Sequence, residues 1–293
     1  MTMWADAIRA EAFRLSKSRT TWFWSVFFAP ILLLIVGAIS SLVIDANATK
    51  LAADPDAPPE LTQMLSMQPL DMGQAMIANA GNLSNALVLL FILIGAATVY
   101  AGDYRWETWR LISARNTRPN LLLGKLAVVT GLSLVAMLVM LISGTLSDLI
   151  QAAVFDRGLT FTMDAGDVGQ FFLLAGLSLL RILQFTMIGL LAAVMTRSLL
   201  VALFVPLVLA IAQFFLPMQV LPPMGFMPDS WLSVLVDPGG ALDSIKDLVR
   251  GGDAAAGVPD GVLPKAWISV ALWTLLPAAG AIAWFNRQDL SKE

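Results

Sequence analysis

The segment DYRWETWRLISARNTRPNLLLGK, residues 103–125, decides how the chain folds, because it is a dense patch of charge between two long apolar runs. Its five bases, Arg105, Arg110, Arg115, Arg118 and Lys125, stand against only Asp103 and Glu107. Cytoplasmic loops of membrane proteins are the ones enriched in Lys and Arg, so the excess predicts a cytoplasmic loop between two spans. Its first half has the spacing of a short helix. Asp103, Glu107 and Arg110 fall at i, i+4 and i+7 on one face, acids first and base last, an order that suits the helix dipole and permits a Glu107–Arg110 pair. Trp106 and Trp109 lie three apart on the neighbouring face. Pro119 argues against that helix continuing through Arg118. Two readings fit: a basic loop held at the headgroups by interfacial tryptophans, or a helix presenting charge and aromatic surface to a cytoplasmic partner.

The composition places both apolar runs in a bilayer. Of 293 residues, 58% are hydrophobic and 13% charged, where a soluble domain carries about 25% charge. The chain is therefore a polytopic, all-α membrane protein. It has no cysteine and no histidine, which excludes disulfides, thiol nucleophiles, Ser–His triads and the common zinc sites. No basic, aromatic-rich surface suggests nucleic acid. The first apolar run is too long for a cleavable signal peptide.

Working outward from residues 103–125, the apolar runs predict six spans, at about 22–44, 83–102, 126–150, 171–195, 199–216 and 266–285. Each is of a length to cross the ~30 Å hydrocarbon layer. Pro30 should kink the first span near its start. Residues 1–21 form a separate unit, in which Trp4, Ile8, Ala12 and Leu15 recur at helical spacing, predicting an interfacial helix before the membrane domain of residues 22–293. Asp45 to about Ala80 is a long acidic connection, in which Leu61 to Met76 has the makings of a short surface helix. Gln151–Gln170 is a shorter acidic connection. Pro217–Lys265 mixes Trp231, Leu232, Val234, Leu235 and Val236 with Pro and Gly punctuation, the pattern of short helices dipping into the outer leaflet.

Charge now assigns sides. The N-terminus, residues 103–125, the Arg197 turn and the tail hold twelve bases, and the three opposite connections hold five. Both termini are thus expected in the cytoplasm, as an even number of spans requires. Arg181 falls inside the fourth predicted span, where a base costs at least ~2.5 kcal/mol and must face protein or a wet cavity. Gln184, Gln213, Asn82 and Asn85 are its candidate partners, and no carboxylate is expected at its depth. Arg181, Gln184 and Gln213 are candidates for a translocation path, with a structural arginine as the alternative. Met64, Met67, Met72, Met76, Met218, Met224 and Met227 gather outside; without His or Cys they suit packing better than Cu(I). Gly124-Lys125 lacks the upstream glycine and the hydroxyl of a P-loop, so the chain cannot hold ATP that way.

The order Asp103, Tyr104-Arg105, Thr108, Arg110-Leu111-Ile112, Arg118-Pro119, Leu122-Leu123-Gly124-Lys125 resembles the first cytoplasmic loop of the type-2 ATP-binding-cassette permeases. Asp103 stands where that family more often has Glu, and Glu107 where Gly often precedes the Thr. Residues 1–21, the long fifth-to-sixth connection and the closing Phe285-Asn-Arg-Gln-Asp-Leu extend the resemblance over nearly the whole chain. It implies an elbow helix over residues 1–21 and a coupling helix, Tyr104, Arg105, Trp106, Glu107, Thr108, Trp109, Arg110 and Leu111, that docks on a separate ATPase. It also implies two ATPase copies holding the ATP and Mg, a second permease copy or a related permease, membrane lipid around them, and the bacterial inner membrane as location. Under this resemblance the chain is the non-enzymatic membrane subunit of an exporter. A membrane immunity or sensor protein binding its ligand outside, and an intramembrane enzyme, are the alternatives from other classes.

Overall fold

A chain in hydrocarbon must satisfy its own backbone N–H and C=O groups, so long apolar runs fold as helices. The structure, a computed structural model, describes residues 3–48, 68–105 and 116–288. In chain order its helices are α1 (Met3–Lys17), α2 (Arg19–Ala46), α3 (Met72–Gly81), α4 (Ala86–Arg105), α5 (Arg118–Val154), α6 (Ala165–Thr196), α7 (Leu199–Phe215), α8 (Trp231–Val236), α9 (Pro238–Arg250), α10 (Gly252–Ala256) and α11 (Val262–Arg287). Five of them, α2, α4, α5, α6 and α11, are long and apolar enough to cross a bilayer. This is an all-α, multi-pass membrane fold. The α7 helix is shorter, but its helical backbone continues through a π turn, Leu216–Val220.

The central helix is α6, which packs against α3, α4, α7, α9 and α11. By contrast α2 lies at the periphery on α5, with Ile35, Ile39, Leu42 and Val43 exposed as a lipid-facing helix requires. At Pro30, which has no N–H to donate, the i→i−4 ladder is broken, and the preceding Phe23–Phe28 forms a π turn. The π turn gathers Trp24 and Phe28 onto Phe91 of α4.

One end of the bundle collects α1 and the ends of four long helices. Arg118, in the first turn of α5, donates to the carbonyls of Phe285 (2.9 Å), Asn286 (3.1 Å) and Gln288 (2.6 Å), capping α11 with a cation where the dipole favours one. Tyr104 donates to Gln288 Oε1 at 3.1 Å, and the Gln288 amide donates to the carbonyl of Val194 in α6. Asn116 donates to the carbonyl of Met3 at 2.6 Å. The opposite end is built from α3, α8, α9 and a two-residue parallel pair, β1 (Leu70–Asp71) with β2 (Leu159–Thr160). There Asp71 caps α3 and accepts the Thr162 hydroxyl, which holds its carboxyl below the usual range.

Several boundaries differ from the sequence reading. The second long helix runs past Gly102 to at least Arg105, and the third begins at Arg118 rather than Leu126, because Pro119 sits in a first turn, where a missing N–H does no harm. Leu122 to Lys125 are therefore helix, not loop. Of the short surface helix expected over Leu61–Met76, residues 61–67 lie outside the described residues; the described part holds α3, Met72–Gly81, buried on Ile77 and Ala80. The inward face of α1 is Ala7, Glu11 and Leu15, whereas Trp4 is exposed. The predicted stripe missed it because its centre is an acid.

Candidate functional site

The predicted coupling segment falls mostly outside the described residues: Trp106, Glu107, Thr108, Trp109, Arg110 and Leu111 are not among them. What flanks it is described. Asp103 near the end of α4 and Lys125 in the second turn of α5 are both fully buried. Lys125 Nζ lies 2.6 Å from Asp103 Oδ2, 3.0 Å from Glu11 Oε1 and 2.7 Å from the Val99 carbonyl, so each of the three ammonium donors faces an acceptor. Arg14 closes the group, with Nη1 at 2.7 Å from Asp103 Oδ1 and 3.3 Å from Glu11. Burial works against the charge of Arg14, but Asp103 and Glu11 outweigh it and hold its pKa above the ordinary value. Two acids and two bases thus form a neutral quartet joining α1, α4 and α5. Gly124 admits α1 to it: a Cβ there would meet the Ala7 Cβ at 3.0 Å.

The second candidate is Arg181, midway along α6. It lines a cavity of about 270 Å³ between α4, α6 and α7, whose walls are otherwise apolar, among them Leu89, Leu93, Phe185, Ile211 and Phe215. Its guanidinium stands over the Phe185 ring at 5.4 Å and against the backbone of Gly239, where a Cβ would lie 2.6 Å from two of its nitrogens. Only glycine allows that approach. Nη1 is buried with no hydrogen-bond partner among the described residues.

None of the expected partners serves it. Gln184 donates instead to the Val270 carbonyl of α11 at 3.2 Å. Gln213 is buried without a hydrogen bond, and neither glutamine lines the cavity. Asn85 caps the start of α4 by accepting from Val88 N and donating to the Asn82 carbonyl. A carboxylate does stand near Arg181, contrary to expectation: Asp237, at the N-terminus of α9, interacts with it electrostatically. The sequence reading missed it because the distant α8–α9 connection folds back against α6.

Behind the cavity lies Lys246, 3% exposed, donating to the Gly81 carbonyl at 2.8 Å and to Ser84 Oγ at 3.0 Å. Ser84 itself lines the cavity. Burial is the main cause that lowers the Lys246 pKa to about 8, with Arg181 and Arg250 adding to it against Asp243 and Asp247. Burial likewise pushes the Asp237 carboxyl up, against the Gly240 N–H bond and Arg181. Comparison with family models, curated proteins and solved structures finds no match.

Two outcomes test these sites. Lys125→Met leaves two carboxylates buried with Arg14 alone and should destabilise the protein by about 3–5 kcal/mol in thermal unfolding. Arg14→Gln, at a side chain 43% exposed, should cost clearly less; equal losses would refute the central place of Lys125. For Lys246, a folded pKa below the unfolded one means that the unfolded state binds more protons between about pH 8 and the ordinary value of 10.5. Stability should therefore rise with pH across that window, by on the order of 3 kcal/mol. Subtracting the melting profile of Lys246→Met isolates this contribution, and a flat difference would exclude it.

Proposed function

We propose that the chain is the membrane-spanning permease subunit of an ATP-driven exporter of the ATP-binding-cassette type, working as a dimer with two separate ATPase subunits. The order of residues in 103–125 and the extent of the resemblance support this reading. So do the five helices long and apolar enough to cross a bilayer; with α7 as a further span the number is even, which sets both termini on the basic side. On this reading α1 is the elbow helix, residues 104–111 are the coupling helix, and the bacterial inner membrane holds the assembly with both termini in the cytoplasm.

The observation that carries the mechanism is the buried quartet. Residues 106–115 join α4 to α5 in the sequence, and the quartet ties the root of each helix to α1. A displacement delivered to residues 104–111 would therefore move three helices as one body instead of bending a loop. Closing of the ATPases on ATP would tilt α4 and α5 against the central α6, the rigid-body shift that alternating access needs. The protein supplies no nucleotide chemistry; ATP and Mg belong to the partner.

Docked helices hold through a few desolvated aromatic and Arg anchors, and losing one costs ~2 kcal/mol or more, roughly thirty-fold in affinity. Trp109→Ala or Glu107→Arg should leave expression and insertion intact while the ATPase dissociates or hydrolyses ATP without moving substrate. Asp253→Arg, equally drastic but on the opposite face, should do neither. Retained ATPase binding and full transport in the loop variants would sink the reading. Sidedness has its own test: an impermeant thiol reagent applied to intact cells should label a cysteine at Ala57 and spare one at Ser18.

A further inference from the structure

We propose that the cavity between α4, α6 and α7 binds an amphiphile with a single anionic head, a carboxylate, phosphate or sulfonate, with Arg181 as the group that recognises it. The inference deepens the permease reading by naming its substrate class, and it rests on that reading only for the word substrate.

The polar side chains lining the cavity are Arg181 and Ser84, and both have hydrogens to donate. Arg181 has donors only and makes no hydrogen bond or ion pair among the described residues; Nη1 is enclosed by protein, so a ligand in the cavity meets the rest of the guanidinium edge. Ser84 accepts from the Lys246 ammonium at 3.0 Å, which takes one of its lone pairs and leaves its O–H to donate. The nearby carboxylate does not fill the gap. Asp237 accepts the Gly240 N–H at 2.9 Å as the N-cap of α9, and it makes no ion pair with Arg181 among the described residues. A buried donor without an acceptor costs its full desolvation, so the ligand that completes this site brings acceptor oxygens. A charged acceptor suits it best, because bonds to ionised groups are the strong ones and a guanidinium meets carboxylate or phosphate as a fork.

The walls specify the rest of the ligand. Leu89, Leu93, Ile211 and Phe215 offer nothing to a polar body but suit a hydrocarbon chain. At about 270 Å³ the cavity lies just below the usual size of ligand sites, ~300–1,000 Å³, so it takes a compact head and the first part of a chain. A cation would meet Arg181 with Lys246 behind it. A neutral amphiphile would leave the guanidinium without a counter-charge.

The test uses the purified chain without any ATPase, in phosphatidylcholine nanodiscs, so that the permease reading can fail while binding stands. Dodecyl phosphate is titrated calorimetrically, with empty nanodiscs subtracted and dodecanol as the neutral probe of equal length. The expected result is saturable binding of dodecyl phosphate only, weakened about tenfold or more by Arg181→Gln. Ala210→Phe fills the same cavity and keeps Arg181, so it should also weaken binding even if Arg181→Gln does not fold. Arg157→Gln, a cation at the opposite connection that holds the Gln68 carbonyl, should bind as the parent does. Native mass spectrometry of the purified protein separates the sources. An anionic phospholipid retained by the parent and lost in Arg181→Gln assigns a lipid, and a lipid-free protein that binds dodecyl phosphate assigns a free amphiphile; both support the site. Equal binding of dodecanol, unchanged affinity in both cavity variants, or no binding at all would overturn it.

Discussion

The fully buried ammonium of Lys125 constrains the rest of this structure. Removing a charge from water costs several kcal/mol, and only close partners with good geometry recover it. Lys125 finds Asp103 at 2.6 Å and Glu11 at 3.0 Å on two different helices, so α1 and α4 must both be in place before α5 can seat itself. Hydrophobic burial could not impose this, because apolar faces slide and rotate at little cost whereas a satisfied ion network has one solution. Its register propagates along α5. With Lys125 fixed, Gly124 must face the backbone of α1 and Arg118 must reach the end of α11. The first turns of α5 thereby locate the closing helix of the chain as well.

Cations at helix C-termini recur at both ends of the bundle. Arg118 caps α11, and Lys246 takes the last carbonyl of α3 while Ser178 takes the one before it. In each case the charge meets orphan carbonyls and the negative end of a dipole. Arg181 breaks the pattern. It lies against Gly239 in the first turn of α9, where the dipole is positive, and Asp237 in the N-cap offsets that only in part. A residue whose sole task was stability would not be set against a helix N-terminus with a nitrogen unpaired. Local disagreement with an otherwise consistent set of rules is the mark of a site shaped for something else.

The bilayer made much of this fold legible. Five of the expected spans, and the helical nature of the fifth-to-sixth connection, could be read from hydropathy and turn residues. The errors share one cause, which is that sequence patterns treat a charged residue as a boundary. Lys125 was read as loop because it is charged, yet its charge is what buries it. Glu11 was left off the inward face of α1 for the same reason. Asp237 was too far along the chain to be paired with Arg181, since its approach depends on how α9 folds back onto α6. Gly239 carried no signal at all, because the need for glycine there comes from a guanidinium 58 positions away in the chain.

The two charge centres are linked by α4. Asp103 anchors its one end in the quartet, and Leu89 and Leu93 form cavity wall two to four turns away toward the other. The span between them is continuous helix, Ala86–Arg105, packed on α6 and α7. A continuous helix transmits a tilt along its length rather than absorbing it, and interiors packed to crystal density shift between discrete arrangements instead of deforming smoothly. If α4 pivots on α6 when its anchored end moves, the separation of α4 from α7 changes, and that separation is the width of the cavity. An anion held by Arg181 on the stationary helix would then lose or gain its apolar wall while keeping its ionic contact. Release would depend on the chain portion of the ligand, which fits a site that reads the head with one group and the tail with a movable surface.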